Sequence, residues 1–151
     1  MNISLTVAAT FLSVVGASNI VGRITMGSIS DRIGRKFSLT ICLIPMGVMM
    51  FWLTTIESTW AFYTFSAIFG FCYGGITPVV AATVGRFFGL QHMGSIYGSV
   101  VILAGVGGAV GPFLAGYIYD VTNSYFLAFM LGGIMSLLAA LIVHFIKMPK
   151  H

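Results

Sequence analysis

Gly27-Ser28-Ile29-Ser30-Asp31-Arg32-Ile33-Gly34-Arg35-Lys36 lies between two runs of almost unbroken apolar sequence and holds four of the ten Lys, Arg, Asp and Glu residues of the chain. Gly34 permits a backbone conformation with positive φ, and the Asp31 carboxylate can accept hydrogen bonds from nearby amides or a basic neighbour. The stretch therefore reads as a tight turn between two helices. On charge alone it reads equally as a basic loop that does no more than set orientation.

Outward from this turn the residues are apolar. Of 151 residues 58% are hydrophobic and 7% charged, a balance that would expose large apolar patches to water and that suits a bilayer. A membrane span needs about 20 mainly apolar residues. Five segments qualify, from Ile3 to Ile29, Phe37 to Thr54, Thr59 to Gly85, Met93 to Tyr119 and Ser124 to Ile146. The expected fold is all-α, a polytopic transmembrane helical bundle, with residues 1–151 forming a single membrane domain. Met1 to Ser18 lacks the basic start of a secretory signal and its apolar character runs on past Ile24, so it reads as part of a span.

The short breaks between spans carry nearly all the charge. Arg32, Arg35 and Lys36 follow the first span, Arg86 the third, and Lys147 and Lys150 the fifth, whereas the other side has only Glu57 and Asp120. Basic residues favour the cytoplasmic side. That places the C-terminus in the cytoplasm and Met1 on the outer side of an integral protein of the cell or plasma membrane, with the lipid bilayer as its first partner. The net charge of +4 forms no basic face, so nucleic acid is not an expected partner. Cys42 and Cys72 sit in apolar runs, where a thiol acts as a small hydrophobe. Gln91 and His92 fall in a turn and His144 near a span end, each with no Cys, Asp, Glu or second His at ligand spacing. The chain has no Ser, His and Asp set and no nucleotide loop. An enzyme, a cofactor and a metal site are all unexpected.

Arg23 is the one Lys or Arg inside a span. It precedes Asp31 by eight residues, about 12 Å of helix rise. An arginine at such depth costs about 2.5–3.5 kcal/mol on insertion scales unless it snorkels or faces a polar cavity. Asn19, four residues earlier, shares its helix face. Together the guanidinium fork and the amide can hold a carboxylate. Snorkelling to the headgroups is the alternative. Tyr73, beside Gly74 and Gly75, reads either as a cavity hydroxyl or as a packing aromatic.

The turn at 27–36 resembles the signature G-x-x-x-D-R-x-G-R-[RK] of the major facilitator superfamily at every fixed position: Gly27, Asp31, Arg32, Gly34, Arg35 and Lys36. The resemblance implies a twelve-helix transporter in two six-helix halves, with the signature on the cytoplasmic side after the second or eighth helix. The five spans are then an incomplete half, helices eight to twelve or two to six. The ending after a fifth span and the stretch Gly70 to Pro78 favour eight to twelve. Gly98, Gly107, Gly111-Pro112 and Gly116 resemble the antiporter motif usually described in helix five, with Ala115 the one departure, and the internal repeat makes helix eleven its equivalent. Asn19 to Arg23 with Met26-Gly27 is similar to the eighth helix of monocarboxylate transporters and oxalate–formate antiporters, where an arginine contributes to anion recognition. Ile102 to Gly105 carry no lysine of the oxalate type, which favours a monoanion.

The resemblance implies alternating access, with the 27–36 turn as a conformational latch. Gly74, Gly75, Pro78, Gly98, Gly107, Gly111, Pro112 and Gly116 are helix-packing or hinge positions, since glycines four apart let backbones approach and proline removes a helical hydrogen bond. The expected function is part of a secondary transporter for a small organic monocarboxylate, bound by Arg23, Asn19 and Tyr73, with the remaining helices of the transporter as partners. The alternatives are the same machinery with a sugar or drug as substrate, and a non-transporting fragment that pairs with another half.

Overall fold

Lipid offers no hydrogen bonds, so a backbone that crosses it must satisfy its own N–H and C=O groups, and helices do so within one segment. The computed structural model describes residues 5–55 and 58–146. Helix α1 spans Leu5–Ile33, α2 Arg35–Leu53, α3 Thr59–Thr122 and α4 Phe126–Phe145. Gly89 (φ 74°, ψ 167°) breaks α3 into two arms, Thr59–Gly89 and Gln91–Thr122. The five resulting segments are each long and apolar enough to cross a membrane. Ile3, Glu57, Lys147 and Lys150, and with them both chain ends, lie outside the described residues.

The turns are shorter than the sequence reading has them. The first span continues beyond Ile29 through Asp31 and Arg32 to Ile33, and α2 begins at Arg35. Only Gly34 leaves helical geometry, at φ 90°. Its N–H still donates to the Ser30 carbonyl at 3.1 Å, and its own carbonyl accepts from the Ser38 N–H at 3.0 Å. A residue without Cβ redirects the chain here at little loss of hydrogen bonding. Gly89, also at positive φ, redirects the chain between the third and fourth spans, and Arg86 to Phe88 and Gln91 to His92 on either side are helical. The last turn is closed by Asn123 in the left-handed region (φ 53°), whose N–H donates to the Tyr119 carbonyl at 2.7 Å.

The helices pair as α1 with the first arm of α3 and α2 with α4, and α2 also packs on α3. Apolar side chains gain little by leaving lipid for protein, so close backbone approach supplies the attraction. On α3, Gly70 and Gly74 face Val15 and Asn19 of α1: a Cβ on Gly70 would stand 2.9 Å from the Val15 Cα, and one on Gly74 2.8 Å from the Asn19 Cα. Gly22 of α1 returns the arrangement, lying directly against the Phe71 carbonyl. Between α2 and α4, a Cβ on Gly47 would meet Leu137 Cγ at 3.0 Å, and one on Gly133 would meet Phe51 Cε2 at 2.9 Å. The Ser136 hydroxyl donates to the Leu43 carbonyl at 2.9 Å, a hydrogen bond between helices.

Met26, Leu39, Cys42, Cys72 and Val79 form the buried core where α1, α2 and the first arm of α3 meet. Both cysteines are free and buried, in keeping with small apolar side chains. The second arm of α3 is the exception to the packing: every residue from Val101 to Leu114 is exposed.

Candidate functional site

Helical periodicity puts residues four apart on one face, and α1 uses this to join Asn19 to Arg23. The Arg23 Nε–H donates to Asn19 Oδ1 at 3.0 Å. The contact of Gly74 with the Asn19 backbone fixes where that amide stands. Arg23 lies on the exposed side of α1, ten residues before the helix ends at Ile33, about 15 Å by rise. Its two Nη groups have no hydrogen-bond partner among the described residues. They form a planar donor fork of the width of a carboxylate, and the Nε bond to Asn19 keeps that fork from rotating freely.

Tyr73 stands elsewhere. It ends a ladder of rings on one face of the first arm, Phe65 to Phe69 with centroids 5.2 Å apart and Phe69 to Tyr73 at 6.2 Å. It lines a cavity of about 600 Å³ between α2 and the two arms of α3, together with Met46, Thr77, Tyr97, Ala104 and Gly105. Arg23 and Asn19 do not line this cavity. The structure thus brings Arg23 and Asn19 together and sets Tyr73 in an apolar cleft with two further hydroxyls, those of Thr77 and Tyr97. Neither hydroxyl is among the candidate residues that the sequence pattern marks. Thr77 follows Tyr73 by four residues, a spacing that puts it on the same helix face; Tyr97 arrives from the other arm and carries no local signal.

The 27–36 segment is helical apart from Gly34. Asp31 and Arg35 pair across the Gly34 break, Oδ1 to Nη2 at 3.7 Å, with the aspartate side chain 70% exposed and the arginine 20%. With its aspartate end open to water and an N···O separation near the limit of an ion pair, the contact contributes about 0–1 kcal/mol. Gly27 lies against Pro78, with its would-be Cβ 3.8 Å from the proline Cβ, and Arg32 is exposed.

Gly74 and Gly75 lie at the contact with α1, Gly75 over Met26. Gly98, Gly107, Gly111 and Gly116 meet nothing within 4 Å among the described residues, and Pro112 beside them is exposed. No group of three or more His, Cys, Asp or Glu suited to a metal occurs among the described residues.

Residues 1–151 match the family described as the Major Facilitator Superfamily. The chain is 29% identical over 147 residues to "Monocarboxylate transporter 12" of Rattus norvegicus, covering 95% of this chain and 30% of that protein. It is 30% identical over 141 residues to "Monocarboxylate transporter 9" of Pongo abelii, covering 86% and 27%. To "MFS-type transporter pynF" of Aspergillus niger it is 27% identical over 128 residues, covering 84% and 30%. The chain therefore spans less than a third of the length of the relatives it matches. The five-span helical bundle, the 27–36 segment with its single glycine break and the match over every residue converge: this chain belongs to the major facilitator superfamily.

Proposed function

We propose that these five helices are helices eight to twelve of a secondary transporter, not an enzyme, that moves a small organic monocarboxylate by alternating access. The observation that carries the reading is the Arg23 fork, buttressed by Asn19 at 3.0 Å and otherwise unpaired within a membrane span. A cation placed there at a cost of about 2.5–3.5 kcal/mol is offset when a carboxylate neutralises it. The names of two of the relatives support the substrate class. In this reading the basic end formed by Arg32, Arg35, Lys36 and Arg86 faces the cytoplasm of the cell or plasma membrane. The Asp31–Arg35 pair is part of a latch between conformations. The unpacked second arm of α3 lies against the remaining helices of the transporter.

A second reading has an observation of its own. Arg23 is exposed and lines neither the groove of about 630 Å³ at the basic end nor the cavity of about 600 Å³ beside Tyr73, which suits a side chain that snorkels to headgroups while the transporter carries a neutral sugar or drug. Reconstitution of the complete transporter in liposomes separates the two. Uptake of labelled lactate, pyruvate, formate, oxalate and one neutral sugar is compared for wild type and Arg23→Gln at equal insertion. The monocarboxylate reading requires lactate, pyruvate or formate uptake that collapses in the variant. Equal uptake by both proteins, or transport of the sugar alone, refutes it.

A further inference from the structure

The basic end of the bundle holds a groove of about 630 Å³ whose lining includes Arg35 but none of Arg23, Asn19 and Tyr73. Its rim carries Arg35 and Lys36 from the start of α2, Arg86 from the first arm of α3 and His144 from the end of α4. Three helices with no sequence proximity thus bring their cationic or ionisable ends to one opening. Its wall is of the opposite character: Phe37, Thr40 and Ile44 follow one another at helical spacing on one face of α2, extending about 10 Å from the rim along the helix. Phe37 and Ile44 are exposed.

We propose that this groove holds one anionic phospholipid, its phosphate among Arg35, Lys36 and Arg86 and an acyl chain along Phe37, Thr40 and Ile44. Charge and shape agree on this occupant. A free anion would use the rim and leave the apolar wall bare, whereas a neutral lipid would cover the wall and leave the cations unmatched. Arg35 supplies an independent sign of a missing acceptor. Its Nη2 engages Asp31, but its Nη1 is buried with no hydrogen-bond partner among the described residues. A buried donor without an acceptor is unfavourable, so a guanidinium in this state gains by turning toward a phosphate oxygen in the groove beside it. Asp31, which competes for the same guanidinium, is not part of the groove lining. The inference rests on membrane embedding and is independent of the substrate assigned to Arg23.

Native mass spectrometry of the chain in neutral detergent tests it, with phosphatidylglycerol and phosphatidylcholine of identical acyl chains as probes. Phosphatidylglycerol is expected to be retained at least tenfold more tightly than phosphatidylcholine. Each cation beside an anionic headgroup contributes a factor of about five. The double variant Arg35→Gln, Arg86→Gln is then expected to lose about thirtyfold in affinity for phosphatidylglycerol. Arg35→Lys, Arg86→Lys keeps the charge and retains binding within about threefold, as does Arg32→Gln, which removes one cation outside the groove. Equal retention of the two lipids overturns the proposal. So does a loss in Arg32→Gln as large as in the double glutamine variant, which signifies a diffuse basic surface. Displacement of the lipid by inorganic phosphate at equal concentration also overturns it, by identifying a free-anion site. If the glutamine pair fails to insert, the lipid selectivity of the wild-type chain and the phosphate competition still decide.

Discussion

Gly74→Ala is a sharp test of how this bundle holds together. The new Cβ meets the Asn19 carbonyl group and stands 2.8 Å from the Asn19 Cα, so it presses on backbone, which cannot rotate aside. Carbon atoms in contact prefer about 3.5–4.0 Å, so α1 and the first arm of α3 must part by roughly 1 Å, enough to forfeit a quarter to a half of the dispersion at each contact across the seam. Overpacking of this kind costs about 1–3 kcal/mol, and the better helix propensity of alanine returns about 1 kcal/mol at most. With the full propensity gain the net expectation is a loss of about 0–2 kcal/mol relative to wild type, and of about 1–3 kcal/mol relative to an alanine placed where nothing opposes it. Gly98→Ala is the matched control, because nothing lies within 4 Å of its Cβ position; there the propensity gain stands alone and stability holds or rises slightly. Equilibrium unfolding of the 151-residue chain in mixed micelles measures both, at equal starting helicity. Equal stability of the two variants, or a loss in Gly98→Ala alone, refutes the close α1–α3 seam.

Asn19→Ala releases the Arg23 fork from its 3.0 Å buttress, and the apparent KM for the transported acid in the complete transporter is expected to rise about two- to tenfold, in line with one hydrogen bond of 0.5–1.5 kcal/mol; an unchanged KM refutes the buttress. Ser136→Ala removes the hydrogen bond from α4 to the Leu43 carbonyl, and unfolding in micelles should show a loss of about 0.6 kcal/mol and no more than about 1.7, with no change in helicity. Gly34→Ala forces a Cβ onto a residue at φ 90°, for which about 1–3 kcal/mol of destabilisation is expected by the same assay, although the space around it is open; a neutral result shows that α1 and α2 join in another way. Asp31→Asn breaks an ion pair whose aspartate end is exposed, so stability should fall by less than about 1 kcal/mol while transport in the complete transporter slows several-fold; equal slowing in a variant of the exposed Arg32 would point to charge alone and not to the pair.

Helicity and five membrane crossings follow from local sequence, because a bilayer requires each span to be contiguous and apolar and collects charge in the breaks. Local sequence also makes the Arg23–Asn19 pair visible, since four-residue spacing on a helix is a local relation. The breaks were legible in place but not in form. Gly34 was legible as the residue free to take a positive φ, but nothing local announces that Asp31 and Arg32 stay helical up to it, or that Gly89, set among residues that read as a loop, is the one break between the arms of α3. Which helices pair emerges only in three dimensions. Gly22, Gly47 and Gly133 join Gly70, Gly74 and Gly75 at close approaches between helices although no local pattern singles them out for packing, whereas the more conspicuous glycines of the second arm, Gly98, Gly107, Gly111 and Gly116, meet nothing among the described residues. Lipid tails are as apolar as leucine, so a membrane helix need not distinguish the face that packs on protein from the face that meets lipid. The pattern that reveals buried faces in water is absent here, and only the fold shows which small residues another backbone touches.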